Sequence, residues 1–267
     1  MSVSSTGRAL PALFRIGFAE AVAYRAEFLV WMLSTTMPLI MLALWTAVAR
    51  EHPIGRFGQK DFVAYFLATF IVRQLTGSWV SWQMNFEIRQ GTLAMRLLRP
   101  IHPMIPYAVE NLAAQPMRLV VALPVAAVLL AAVGSSFVPR DPAMWAAWVA
   151  AMIGAWLISF LASFAIGCLA FWVESSSKVM DVWITLFFVF SGYLFPVELF
   201  PAPVRAAVAW LPFRYQIGLP VEIMTSAYGP AEAFALLGRQ WLFVVLFFAL
   251  ALRLWNRGLV RFAAYGG

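Results

Sequence analysis

The feature that most restricts this chain is the way charge is kept out of long stretches of it. From Phe28 to Ala49 there are 22 residues without a charge, and from Pro142 to Val173 there are 32. A helix needs about 20 mostly apolar residues to cross the hydrocarbon core of a bilayer, and both runs exceed that. Only 12% of the 267 residues are charged and 63% are hydrophobic, whereas a soluble domain carries about 25% charged residues. Much of the surface must therefore face lipid, which makes this an all-α membrane protein.

Charged residues divide the sequence into six candidate transmembrane helices, at about 28–49, 62–83, 116–135, 148–173, 179–197 and 234–254. Arg73 interrupts the second, while Arg118 and Arg239 lie near the starts of the third and sixth. "TAVA" at 46–49 contains an Ala-x-Ala pattern, but the run before it is longer than the apolar part of a signal peptide. It reads as an uncleaved anchor.

Six spans leave both termini on one side. That side collects Arg8, Arg15, Arg25, Arg89, Arg96, Arg99, Lys178, Arg253, Arg257 and Arg261; the other collects Arg50, Arg56, Lys60, Arg140, Arg205 and Arg214. Basic residues favour the cytoplasmic face, so both termini are expected to be cytoplasmic. Basic residues placed between apolar runs set orientation, and no nucleic-acid partner is expected.

Two segments are neither spans nor ordinary loops. Residues 8–25 place Leu10, Phe14 and Phe18 at helical spacing among Arg8 and Arg15, the pattern of a helix lying in the membrane interface. Residues 191–230 hold six of the 16 prolines yet remain rich in Leu, Val, Phe and Trp. Prolines end helices, so short broken pieces are expected there. Non-helical backbone at membrane depth survives only when buried in protein or lining a cavity, and 198–230 reads as a re-entrant extracellular segment before the last helix.

"FEIRQGTLAMRLLRPIHP", residues 86–103, concentrates arginine where arginine is scarce. On a wheel of about 100° per residue, Arg89, Thr92, Arg96 and Arg99 fall within about 80°, with Leu93, Leu97, Leu98 and Ile101 opposite. Pro100, Pro103 and Pro106 then end the segment. The expectation is a short amphipathic cytoplasmic helix over 87–100 with one basic face. Such a face fits anionic lipid headgroups or another protein, and the residues alone do not separate these.

This segment, with Glu87, Gly91, Leu93, Leu98 and Pro100, resembles the cytoplasmic signature of the ABC-2 type transporter permeases. "SGYLFPVELFPAPVRAAVAWLPFRYQIGLPVEIMTS" is similar to the stretch between that family's fifth and sixth spans, with Pro196, Pro201, Leu211, Pro212, Phe213 and Pro220 at matching places. Ser226 stands where the family often has Gly. The resemblance covers essentially the whole chain. It implies a dimer of six-helix subunits, formed with a second copy or a related permease. It also implies an N-terminal elbow helix and a coupling helix that docks on a separate cytoplasmic ATP-binding cassette subunit. ATPase coupling would then fall to Glu87, Arg89, Gly91, Arg96 and Arg99. Spans two and five would line the translocation pathway, and the expected location is a bacterial plasma (inner) membrane.

The chain has only two lysines, Lys60 after Gln59 and Lys178 after Ser177. It lacks the Gly-Lys-Ser/Thr of a P-loop, so no nucleotide cofactor is expected here. ATP and Mg would belong to the partner ATPase. His52 and His102 are far apart, and Cys168 is the lone cysteine, which disfavours an intramembrane enzyme. A stand-alone channel or ion-coupled carrier would require carboxylates deep in spans, whereas Asp61, Glu110 and Asp181 sit at span ends.

Inside the membrane a charge costs several kcal/mol unless paired or wetted, about 3 kcal/mol on insertion scales. Arg73 with Thr69, Thr76 and Gln83 makes a polar stripe on span two. Two readings of Arg73 are open: a structural pair with Asp181 or Glu174, or a pathway residue. On span five, Thr185, Phe188 and Ser191 are candidate pathway residues beside Phe187, Phe190 and Tyr193.

Overall fold

The computed structural model describes residues 3–23, 30, 35–134, 139, 141–225 and 227–265. Most of the beginning of the first expected span, and Ser226, lie outside the described residues. The described residues are almost entirely helical, with one isolated bridge between Ile54 and Phe57.

The helices are α1 (Val3–Ala23), α2 (Met37–Val48), α3 (Gln59–Thr76), α4 (Val80–Arg89), α5 (Leu93–Leu97) and α6 (Met104–Ala113). They continue as α7 (Gln115–Val133), α8 (Pro142–Cys168), α9 (Ser177–Phe190), α10 (Ala202–Val208), α11 (Gly218–Met224) and α12 (Pro230–Tyr265). Among the described residues, three helical stretches are long and apolar enough to cross a membrane: Met104–Ala132, Pro142–Phe171 and Pro230–Phe262.

The central pillar is α8. Its most apolar window is 61% buried within the protein, against 28% for each of the other two. Pro142 suits the first helical position, and the Asp141 carboxylate accepts the Ala143 N–H at 2.8 Å. Helix α12 lies along α8. Ala147, Ala151, Gly154 and Ala155 are small enough to let the two backbones approach. A Cβ on Gly154 would stand 2.7 Å from the Gln240 amide. Gln240 donates to the carbonyls of Ala151 at 2.9 Å and Tyr215 at 2.8 Å, which ties α12 to α8 and to the proline-rich segment. On the outer faces, Val120, Leu123, Val149, Ile153, Val245 and Leu246 are exposed. In water that band would be an aggregation surface; in hydrocarbon it is the solvated face. The protein is membrane-embedded.

Helices α3, α4 and α9 are shorter than the spans expected from sequence. The expected second span, 62–83, is two helices separated by Gly77, Ser78 and Trp79. A break in apolar surroundings strands the last carbonyls of the first helix and the first N–H groups of the second. Here they are met from outside. Arg118 Nη1 donates to the carbonyls of Gln74 at 3.0 Å and Gly77 at 2.8 Å. Gln115 Nε2 donates to Leu75 at 2.9 Å, and the Ser81 N–H donates to Ser163 Oγ at 2.9 Å. Arg118, which the sequence places only near the start of the third span, is a helix cap that also lies 4.9 Å from the Trp79 ring centroid. Helix α9 has 14 residues, about 21 Å at 1.5 Å per residue. The chain then continues as short pieces: 3₁₀ turns at Val197–Leu199 and Arg214–Gln216, and the helices α10 and α11. Tyr215, Ile217, Leu219, Val221 and Ile223 are fully buried, so the part of this broken backbone from Arg214 to Met224 is enclosed by protein, whereas α10 is largely exposed.

The continuous helix expected over 87–100 does not form. Gly91 has φ +73°, a left-handed conformation that ends α4 and re-aims the chain into the five-residue α5. The single basic face drawn on an uninterrupted wheel is therefore absent.

The cap at the break is open to a direct check. Arg118→Leu leaves two buried carbonyls unmet, at about 1–3 kcal/mol each. The purified variant should unfold at a clearly lower temperature than wild type, with Arg118→Lys between the two.

Candidate functional site

Beyond the Gly91 turn, α5 folds back so that Arg96 faces inward, towards Glu87 at the end of α4 and towards α6. Tyr107 and Glu110 are three residues apart on α6 and so share one helix face. The Arg96 guanidinium is held by two carboxylates. Nε and Nη2 donate to Glu87 Oε2 and Oε1 at 2.7 and 2.8 Å. Nη1 and Nη2 donate to Glu110 Oε1 and Oε2 at 2.7 and 3.0 Å. Tyr107 donates its hydroxyl to Glu87 Oε2 at 2.6 Å, and its ring centroid lies 4.2 Å from Arg96 Cζ. Gln83 Nε2 donates to Glu110 Oε2 at 2.9 Å and to Glu87 Oε1 at 3.3 Å.

Two paired, charge-assisted contacts on one planar group fix its orientation as well as its charge. Burial works against the charged guanidinium. The hydrogen bonds that it donates to Glu87 and then to Glu110 outweigh this and hold the group above its ordinary pKa. The cluster joins α4, α5 and α6 into one platform.

A cavity of about 440 Å³ opens beside it, with Leu13, Ile16 and Glu20 of α1 on one wall and Phe86, Met95 and Arg99 on the other. On the outer side the segment is apolar. Leu98 is 78% exposed and Met95 66%, whereas Leu93 is fully buried. Arg99 is exposed, and Arg89 reaches the Val173 carbonyl at 3.3 Å. Of the coupling candidates, Glu87 and Arg96 are thus brought together internally, Gly91 makes the turn, and Arg89 and Arg99 lie outside.

The pathway candidates separate. Gln83 belongs to the Glu110 cluster and not to an Arg73 stripe. Thr76 is buried and bonded to the Val72 carbonyl of its own helix at 2.8 Å, and the exposed Thr185 donates to the Asp181 carbonyl of its own helix at 2.9 Å. Ser191 is fully buried. Phe188 stacks on Tyr193 with centroids 5.3 Å apart. Arg73 lies 5.2 Å from the Phe187 ring centroid. It forms no ion pair with Asp181, Glu174 or any other carboxylate among the described residues.

Two groups had no clear sequence signal. Tyr107 and Glu110 sit in "PYAVE", where only the i, i+3 spacing hints at a shared face. In the proline-rich segment, Arg214 Nη2 donates to Glu222 Oε2 at 3.1 Å and to Tyr228 Oη at 2.6 Å, and Tyr228 donates to Glu222 at 2.7 Å. That triad pins the turn from 214 to 228.

Removing Arg96 leaves two carboxylates facing each other, half-buried and uncompensated. Breaking such a pair from one side costs about 3 kcal/mol or more. Arg96→Gln should therefore lower the Tm well beyond Arg99→Gln, whose side chain is solvated. Paired replacement by Arg96→Met and Glu87→Gln should recover part of the loss in a double-mutant cycle.

His102 supplies a pH dependence. Its ring lies 5.7 Å from the Trp255 ring, tilted by 58°, and its Nδ1 accepts the Met104 N–H at 3.2 Å. Burial lowers its pKa below the ordinary 6.5. The unfolded chain then takes up the proton first, so His102 contributes stability that falls as pH drops below about 6.5. Thermal unfolding between pH 7.5 and 5 should show a smaller acid loss in His102→Asn than in wild type.

No curated protein matches the chain. A protein-family model described as ABC-2 family transporter protein matches residues 31–266. With the match extending over that much of its length, the chain belongs to the ABC-2 family of transporter proteins.

Proposed function

We propose that the chain is the transmembrane permease subunit of an ABC-2 type exporter, moving its substrate with ATP hydrolysed by a separate cytoplasmic subunit. Family membership supports a permease that works with an ABC ATPase. The observation that carries the docking assignment is the exposed apolar tip of Met95 and Leu98, set on the ion-paired Arg96 platform. A large exposed apolar side chain on a rigid support is a binding anchor, and Arg89 and Arg99 form its charged rim. Arg96 works from behind, keeping the tip in place.

Six spans, both termini in the cytoplasm of a bacterial inner membrane, and a homo- or heterodimer of permeases complete the reading. Leu10, Phe14 and Phe18 of α1 are exposed on a helix whose Gly17 packs against Ala113 of α6. That arrangement suits an elbow helix whose apolar face meets lipid. The pairing of Arg96 with both Glu87 and Glu110 disfavours the channel or ion-coupled carrier, because it occupies carboxylates that a coupling ion would need.

ATP-driven closure of the cassette subunits would push on the tip, and the platform would pass that push to α4 and α6. The test is co-purification with a candidate ABC ATPase from the chain's genomic neighbourhood, followed by ATPase and transport assays. Leu98→Glu should reduce complex recovery at least tenfold while the permease alone keeps its wild-type Tm. Undiminished association of Leu98→Glu would remove the tip from the interface.

A further inference from the structure

We infer that Arg239 and Trp210 form a binding site for the phosphate of a phospholipid, in the leaflet that surrounds the first third of α12. The inference goes beyond the exporter reading and does not depend on it. Arg239, Leu242, Leu246, Leu250, Arg253 and Arg257 follow one another at three- and four-residue steps, so they share one face of α12 within about 80°. All of them are exposed. The opposite face, with Gln240, Val244 and Ala251, is buried. Arg239 therefore stands on the lipid side of a helix long and apolar enough to span, in line with the leucines that meet the acyl chains.

Arg239 and Arg253 are 14 positions apart, about 21 Å at 1.5 Å per residue, whereas the hydrocarbon core is about 30 Å thick. Their backbones cannot both sit at headgroup level, whatever depth the helix takes. Side chains on a helix lean towards its N-terminus, so Arg239 is aimed at its own leaflet's headgroups, with a stem long enough to extend towards them. The route is open. Ala235 lies one turn ahead on the same face, and the space where a Gly238 Cβ would stand is empty.

Trp210 comes from the proline-rich segment and is 66% exposed. Its ring centroid lies 5.0 Å from Arg239 Cζ, a cation–π contact that positions the guanidinium without neutralising it. Arg239 forms no ion pair among the described residues, and Glu232, two turns away on the same face, is not within ion-pair distance. A guanidinium at the margin of hydrocarbon calls for an anionic acceptor, and the phosphate of a bilayer lipid is the one its surroundings supply. Two phosphate oxygens match the fork of the guanidinium, while Trp210 suits the boundary between acyl chains and headgroups. A lipid held there joins the proline-rich segment to α12.

The test uses the full chain purified in neutral detergent, without ATPase or nucleotide, so that its outcome is independent of subunit docking. Thermal unfolding is followed while dihexanoyl phosphatidylglycerol, dihexanoylglycerol (which lacks the phosphate) or inorganic phosphate is titrated at constant ionic strength. Phosphatidylglycerol should raise the Tm saturably, with an apparent affinity at least tenfold above dihexanoylglycerol. Arg239→Leu should cut that preference at least fivefold, and Trp210→Ala by a smaller factor. Arg205→Gln, which removes an exposed positive charge from α10 in the same segment as Trp210, should keep it. Arg239→Lys serves if the Leu variant does not fold, and should weaken the preference at least twofold because lysine lacks the planar fork. Equal responses to the two lipids, a preference unchanged in Arg239→Leu or Arg239→Lys, or an equal loss in Arg205→Gln would overturn the site. Saturation by inorganic phosphate at the same concentrations would overturn its assignment to lipid. A chain that shows the preference yet fails to bind any ATPase would keep the site and lose the exporter reading.

Discussion

Backbone groups that leave a helix away from water must find other partners, and this demand organises the molecule. It is most acute at Gly77–Trp79, where α3 stops and α4 begins inside a segment that looks like one span. Arg118 and Gln115 of α7 satisfy the carbonyls on one side, and Ser163 of α8 satisfies an N–H on the other. The break therefore locks α3 and α4 to α7 and α8 at the same point. It also turns α4 so that Glu87 meets Arg96, which is where the platform begins.

The same logic appears at Gln240, whose amide meets the Ala151 and Tyr215 carbonyls between α8, α12 and the proline-rich pieces. Polar side chains in this protein mostly serve the backbone, and the charged clusters sit at its margins. Arg96 with Glu87 and Glu110 lies at one, and Arg214 with Glu222 at another. Each ties together helices too short to hold position by apolar packing alone. Helix α5 has five residues and α11 seven, well below the length at which a helix is stable by itself.

The long apolar helices were legible because exclusion of charge is a local property of the sequence. Helices α8 and α12 lie where Pro142–Val173 and 234–254 announce them, and the prolines at 196–220 mark the short pieces between them. What was not legible depends on turns and on distance. No proline marks the break at Gly77, and Gly91 looks like any helical glycine until its φ of +73° is seen. A wheel drawn through it put Arg96 on an outer face with Arg89 and Arg99. In the fold, Arg96 turns inward to a carboxylate 14 positions away. Gln83 was assigned to Arg73 by periodicity, but its partner Glu110 is 27 residues distant, beyond any helical repeat.

Helix α12 has a consequence for the membrane itself. Its 36 residues extend about 54 Å at 1.5 Å per residue, while the hydrocarbon core is about 30 Å thick. Arg253, Arg257 and Arg261 recur at four-residue intervals near its end, and long basic side chains reach back towards headgroups. Such a helix is not committed to one depth. It can slide or tilt as lipid composition thickens or thins the bilayer. Because it lies along α8, the central pillar would follow, keeping the bundle seated in membranes of different thickness.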